Sequence, residues 1–227
     1  MRGSRRSLQL VLLIVLGVLA GCSDDAANKG PEPTDTEITA DRCLVRVHGR
    51  SDTGADPVEH PDHVELSPTG NDDAGDGHQW LYDTDEHRRA AIDRVRAWVD
   101  RVQCTDVVLH GFSNGAAFTA SLYCSGESFE GRLRGVVIDD PVTDEAVHDC
   151  DPPAGVPAAL YWTGSLTEAQ PGVRCEDIGY TCSGEVILGI DAYATELGVE
   201  VQASPHTDHT AFPDAPELLE WLLGRTA

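Results

Sequence analysis

Residues 108–117 read VLHGFSNGAA, and the way this run divides decides the fold. Its opening, DVVLH from Asp106, is aliphatic and β-branched and suits a buried strand. Gly111-Phe112-Ser113-Asn114-Gly115 then spells G-x-S-x-G, and Ala116 through Cys124 is dense in small, helix-forming residues. A serine between two glycines at a strand-to-helix joint can occupy a tight, strained turn. The flanking positions carry no side chain to collide with either element. The following helix aims its first N–H groups back at the serine. Ala116, Ala117 and Ala120 let that helix lie close on a sheet.

The chain alternates on both sides of this joint. CLVRVHG from Cys43 predicts a strand and HVEL at 63–66 a short one. DEHRRAAIDRVRAWVDRV predicts a helix, since Ile92, Val95, Val99 and Val102 fall three and four apart. Beyond the serine helix, RGVVIDD and AALYW read as strands, ILGIDAYATELG as a helix and VEVQAS as the last strand. DAPELLEWLLGR closes as a helix, with Asp214 and Glu217 at capping-box spacing. Strands alternating with helices give an α/β fold, a mostly parallel sheet with helices on both faces. Functional groups in such sheets gather at the carboxyl ends of the strands. Those ends carry His48-Gly49-Arg50, Ser113, Asp139-Asp140, Gly164 to Glu168, and His206 with His209.

A serine hydroxyl becomes a useful nucleophile when a base takes its proton and donors stabilise the oxyanion that forms. The elbow, its strand and its helix resemble an α/β-hydrolase. GFSNGA resembles the turn of secreted esterases of the polyhydroxybutyrate-depolymerase and feruloyl-esterase type. The resemblance makes Ser113 the nucleophile. LVRVHGR resembles the family's first oxyanion segment, which assigns one backbone donor to Arg50 and the other to Asn114. His209, in H-x-x-F-P ahead of the closing helix, resembles the family's terminal histidine; His206 is the alternative. The family's acid follows a glycine at the end of the penultimate strand, where this chain reads YWTGSLTEAQP without an aspartate. Glu168 is the residue that position offers, with Asp139 or Asp140 as the alternative.

The chain has 39 acidic and 16 basic residues, a net charge of −23, and a single lysine, Lys29. Such a field argues against nucleic acid and polyanionic partners. Arg2, Arg5 and Arg6 precede an apolar run from Leu10 to Ala20, the pattern of a secretory signal, and Ser4-Arg5-Arg6 also fits twin-arginine export. Leu19-Ala20-Gly21-Cys22 resembles the lipobox of bacterial lipoproteins, which implies lipidation of Cys22. The expected organisation is a signal peptide at 1–21, a disordered tether at 22–40 and an α/β-hydrolase domain at 41–227, extracytoplasmic and lipid-anchored to the cell envelope. Losing residues 1–21 removes three arginines and no acid, moving the charge from −23 to −26.

Six further cysteines, an even number on an exported chain, imply disulfides. Cys43 and Cys104 both start strands that are expected to be parallel, Cys175 and Cys182 share a loop, and Cys124 and Cys150 remain. Zinc is the alternative, although no C-x-x-C pair occurs. Asp72, Asp76, Gly77 and Asp83 match part of a calcium loop, but Ala74 breaks it, so neither metal nor cofactor is expected. The connection from Asp140 to Ala158 is short for a lid, which suggests an open serine and a small soluble or polymeric ester substrate. Phe112, Trp80, Tyr82 and Trp162 are candidate pocket aromatics. The expected activity is a serine esterase. An acyltransferase or peptidase would use the same residues, and an inactive binding lipoprotein would keep the elbow with a misplaced acid. A dehalogenase would carry aspartate in place of Ser113.

Overall fold

The computed structural model describes residues 38–165 and 171–224. The stretch expected to be a signal peptide, most of the expected tether, Cys22 and Glu168 lie outside the described residues.

Seven strands form one sheet in the order β2-β3-β1-β6-β7-β8-β9. They are β1 (Arg42–Val47), β2 (Ala55–Glu59), β3 (Val64–Ser67), β6 (Asp106–Phe112), β7 (Leu133–Asp139), β8 (Ala158–Trp162) and β9 (Val201–Ala203). All pairings are parallel except that of the edge strand β2 with β3. A separate hairpin joins β4 (Asp72–Ala74) to β5 (Gly77–Gln79), so the stretch weighed as a calcium loop is a two-stranded turn. Among the described residues, no cluster of His, Cys, Asp and Glu has the arrangement to hold a metal ion.

Alternation along the central strands divides two cores. Cys43, Val45, Val47, Val107, Leu109, Val136, Ile138 and Leu160 face the larger one. There they meet α1 (Asp85–Arg101), α2 (Asn114–Cys124) and α3 (Ile190–Leu197). Leu44, Val108, Val137, Ala159 and Tyr161 face the other side, covered by α4 (Pro216–Leu222) through Leu218 and Leu222. The sheet thus carries helices on both faces, as the alternation implied. Helix α1 starts where Thr84 accepts the His87 amide at 3.1 Å, a cap worth about 1 kcal/mol. Helix α4 starts otherwise than expected. Ala215 is the N-cap and Pro216 takes the first turn, while Glu217 receives the Tyr161 hydroxyl at 2.7 Å instead of closing a capping box.

The three disulfides are Cys43–Cys104, Cys124–Cys150 and Cys175–Cys182, bonding of the kind found in oxidising compartments outside the cytoplasm. Ile38 and Ala40 pack on the core, and the Ala40 amide donates to Val102 at 3.2 Å. Among the described residues, no helix is long and apolar enough to cross a membrane.

Candidate active site

Strand β6 runs directly into the turn at Ser113, whose φ of 55° and ψ of −119° leave the ordinary basins. Such a conformation costs about 1–3 kcal/mol and persists only where the surroundings enforce it. Here they do. The Ser113 amide donates to Asp139 at the end of β7 at 3.0 Å, and the Ser113 carbonyl starts α2 by accepting from Ala116 and Ala117. A side chain at Gly111 would run into Thr119, the Gly115 carbonyl and Ala116. One at Gly115 would run into the carbonyl oxygens of Val47 and His48. Both glycines are therefore demanded by close packing of β1, β6 and α2.

Gly115→Ala is expected to destabilise the domain by about 3 kcal/mol or more, because neither carbonyl can move without disturbing β1. For a domain of this size that lowers the unfolding midpoint by about 10 °C, readable in a thermal melt. A variant melting within a degree of wild type would contradict the packing just described.

His209 lies on the loop between β9 and α4. Its Nε2 stands 2.8 Å from Ser113 Oγ, and its Nδ1 stands 2.5 Å from Asp140 Oδ2. A carboxylate only accepts, so Nδ1 carries the proton and Nε2 presents its lone pair to the hydroxyl. Asp140 is fully buried and has a φ of 50°, which turns its side chain out of the strand line toward the histidine. Thr163 holds the same carboxylate through its amide at 3.1 Å and its hydroxyl at 2.8 Å. The position expected of Glu168 on His209 is thus filled by Asp140, and Glu168 itself falls outside the described residues. His206 is turned elsewhere, with its ring edge-on to Phe212 at 5.8 Å.

Asp139 has a different task from its neighbour. Its Oδ2 accepts the Phe212 amide at 2.5 Å and faces His110 Nε2 at 3.2 Å. Arg46 donates to His110 Nδ1 at 2.8 Å, so the ring gives its one proton to Asp139. Burial, the largest influence, lowers the His110 pKa; nearby Arg46 lowers it further, while Asp139 opposes. The loop bearing His209 is therefore moored three residues downstream by the Phe212 amide on buried Asp139, whose carboxylate His110 also faces.

Gly49 brings the β1 end against the serine. A Cβ placed on it would sit 3.3 Å from both Ser113 Cβ and the Phe112 ring. Asn114 opens α2, where its amide has no carbonyl one turn back to bond. Its side chain is held by the backbone of Trp80, accepting at 2.7 Å and donating at 3.1 Å. Phe112 packs on the His209 ring at 4.7 Å and belongs to the rim. Trp80 and Tyr82, expected as pocket aromatics, are buried and pack against Phe118.

The connection from 140 to 158 builds no lid, yet Ser113 is only 7% exposed. A different segment approaches the site, the strap from 171 to 189 between β8 and α3. Cys175–Cys182 closes it, and Arg50 reaches it by donating to the Gly179 carbonyl at 2.7 Å and lying over the Tyr180 ring. Asp144 and Glu145 grip its far limb through the amides of Ser183 at 2.9 Å and Glu185 at 2.6 Å.

Burial raises the Asp144 pKa to about 6, against the opposing pull of the Ser183 and Ala146 amides and the Tyr82 hydroxyl. A folded pKa above the unfolded value of 3.8 means that this group's stabilisation is full below pH 3.8 and is lost as pH rises through about 6. Compared with Asp144→Asn, the wild type should therefore lose about 2 kcal/mol between pH 4 and pH 7, measured by urea unfolding. A difference independent of pH would refute the buried titration. The histidines act in the opposite sense. The lowered pKa values of His48 and His110 give stabilisation present above about pH 6.5 and lost as pH falls.

The chain matches no family model, and no curated protein matches it. Solved structures do. It is similar to a Bacillus cereus carboxylesterase at 16% identity and a TM-score of 0.51, covering 86% of this chain and 92% of that one. It is also similar to the Agrobacterium tumefaciens protein Atu2452, of unknown function, at 17% identity and a TM-score of 0.50, over 83% and 93% of the two chains. The fold is α/β-hydrolase-like.

Proposed function

We propose that the protein is a serine esterase, cleaving carboxylic esters through an acyl-enzyme on Ser113. The observation that carries this reading is the continuous relay from Ser113 Oγ to His209 Nε2 and from His209 Nδ1 to Asp140. Ser113 Oγ attacks the ester carbonyl carbon while its proton passes to His209 Nε2. The buried Asp140 carboxylate stabilises the imidazolium. The amides of Arg50 and Asn114 receive the oxyanion, whose stabilisation is the largest single contribution in such reactions. Collapse breaks the bond to the alcohol oxygen, which leaves with the His209 proton. Water then attacks the acyl carbon and gives its proton to His209, which returns it to Ser113 Oγ as the acyl–oxygen bond breaks and the acid leaves.

A relay with its acid in place favours an enzyme over a binding module. Ser113 is only 7% exposed, which favours an ester that enters between the Arg50 turn and the Phe112 rim. Transfer to an acceptor other than water would use the same groups and differ only in the second step. The polyhydroxybutyrate-depolymerase and feruloyl-esterase likeness, the export signal and the Cys22 lipid anchor complete the proposal. They put the domain outside the cytoplasm on a tether, acting on small or polymeric esters.

The test is hydrolysis of p-nitrophenyl esters of increasing acyl length by the oxidised domain. Turnover with a defined chain-length optimum supports the reading, and rates equal to buffer across the series would overturn it.

A further inference from the structure

His209 has been given a task; His48, beside the Gly49 turn that packs on Ser113, has not. His48 is the last residue before the turn that carries Gly49 and Arg50. Its Nδ1 lies 2.6 Å from the Gly49 carbonyl oxygen, and its Nε2 lies 2.9 Å from the Gly70 amide. The partners leave one assignment. A carbonyl oxygen only accepts, so Nδ1 donates; an amide N–H only donates, so Nε2 accepts. The ring is the neutral Nδ1–H tautomer.

We infer that His48 is a positioning residue of the oxyanion turn, pinning the Gly49 carbonyl and thereby aiming the Arg50 amide at the reacting oxygen. This rests on the esterase reading and extends it. In a trans peptide the C=O and the next N–H point in opposite directions, and no cis bond occurs among the described residues. Fixing the Gly49 oxygen on one side therefore fixes the Arg50 hydrogen on the other. The turn needs such a tie, because Gly49 itself offers no side chain to anchor it.

The far end of the tie is held as well. Gly70 gives its carbonyl to Arg94 of α1 at 2.9 Å, and a side chain on Gly70 would collide with the Gln79 backbone. The β4–β5 hairpin that begins beyond Gly70 ends at Trp80, whose backbone grips the Asn114 side chain. Trp80 also packs its ring 5.6 Å from His48. One hairpin thus braces both amide donors, Arg50 through His48 and Asn114 directly. Burial lowers the His48 pKa, which keeps Nε2 free to accept from Gly70.

Two substitutions separate the two bonds. In His48→Asn the side-chain N–H can take the Nδ1 place and keep Gly49, while the Gly70 bond is lost. In His48→Gln the side-chain oxygen can take the Nε2 place and keep Gly70, while the Gly49 bond is lost. The expected kcat on a p-nitrophenyl ester falls about 10- to 100-fold in His48→Gln, as for a misdirected oxyanion donor, and by clearly less in His48→Asn. KM stays within about threefold in both, since the donor acts in the transition state. Thermal stability should rank the opposite way, with His48→Asn the weaker because it frees the hairpin.

A purely structural His48 would make activity follow stability, and that ranking would overturn the inference. An imidazole ¹⁵N spectrum of the wild type supplies a second reading, in which His48 protonated on Nε2 would also overturn it. A wild type inert toward every ester would overturn the esterase reading and this one together. An active wild type with undiminished His48→Gln would overturn this one alone.

Discussion

Ser113→Ala is expected to lower kcat for ester hydrolysis by about 10⁵- to 10⁶-fold, with the fold intact. The loss is large because the hydroxyl bonded to His209 Nε2 is that of Ser113. It is purely chemical because the Ser113 side chain makes no cap to α2 and supports the turn through its backbone alone. Alanine can occupy the same space, so stability should change by less than about 1 kcal/mol. Some acceleration over water should survive from the amide donors and substrate binding. Full activity in the variant would mean that a different group attacks the ester.

Asp140→Asn is the second large effect, a fall in kcat of about 10⁴-fold. Asparagine keeps an oxygen for Thr163 but can set an N–H against His209 Nδ1, which drives the ring to the tautomer unable to accept from serine. Glu168→Gln should remain within about threefold of wild type, because Asp140 already occupies His209 Nδ1. The reverse ranking would return the acid's role to Glu168. Steady-state kinetics on purified, oxidised protein decides between them.

The contrast between these two carboxylates shows where sequence reasoning stops. The elbow was legible because its requirements are local: a β-branched strand, glycines where any side chain collides, and alanines where α2 touches the sheet. Of the disulfides, Cys43–Cys104 followed from strands that begin together, Cys175–Cys182 from a shared loop and Cys124–Cys150 from what remained. The acid was not legible in the same way. Asp139 and Asp140 are adjacent and chemically alike, and a single positive φ at Asp140 sends one to His209 and the other to Phe212 and His110. Only the packed ends of β7, β8 and the 209–212 loop determine that turn.

Other departures have the same long-range origin. The capping-box spacing at Asp214 lost to Pro216, which fits the first helical turn, and to Tyr161, which claims Glu217. Strand β2 reads ADPVE without alternation and carries a proline, which an edge tolerates but a pattern search misses. The short 140–158 connection suggested an open serine, but the strap at 171–189 was not foreseen, and it is held by the Asp144 and Glu145 carboxylates far from it in sequence. The part of His48 depends on an amide 22 residues away, which no local motif announces.

The most direct test of the central claim is covalent capture of the nucleophile. The oxidised domain would be treated with a p-nitrophenyl alkylphosphonate, which mimics the tetrahedral intermediate, and the adduct located by peptide mass spectrometry. The account predicts one phosphonyl group per chain, on Ser113, with release of p-nitrophenol and loss of esterase activity in step. An adduct on another residue, or full activity with Ser113 modified, would contradict it.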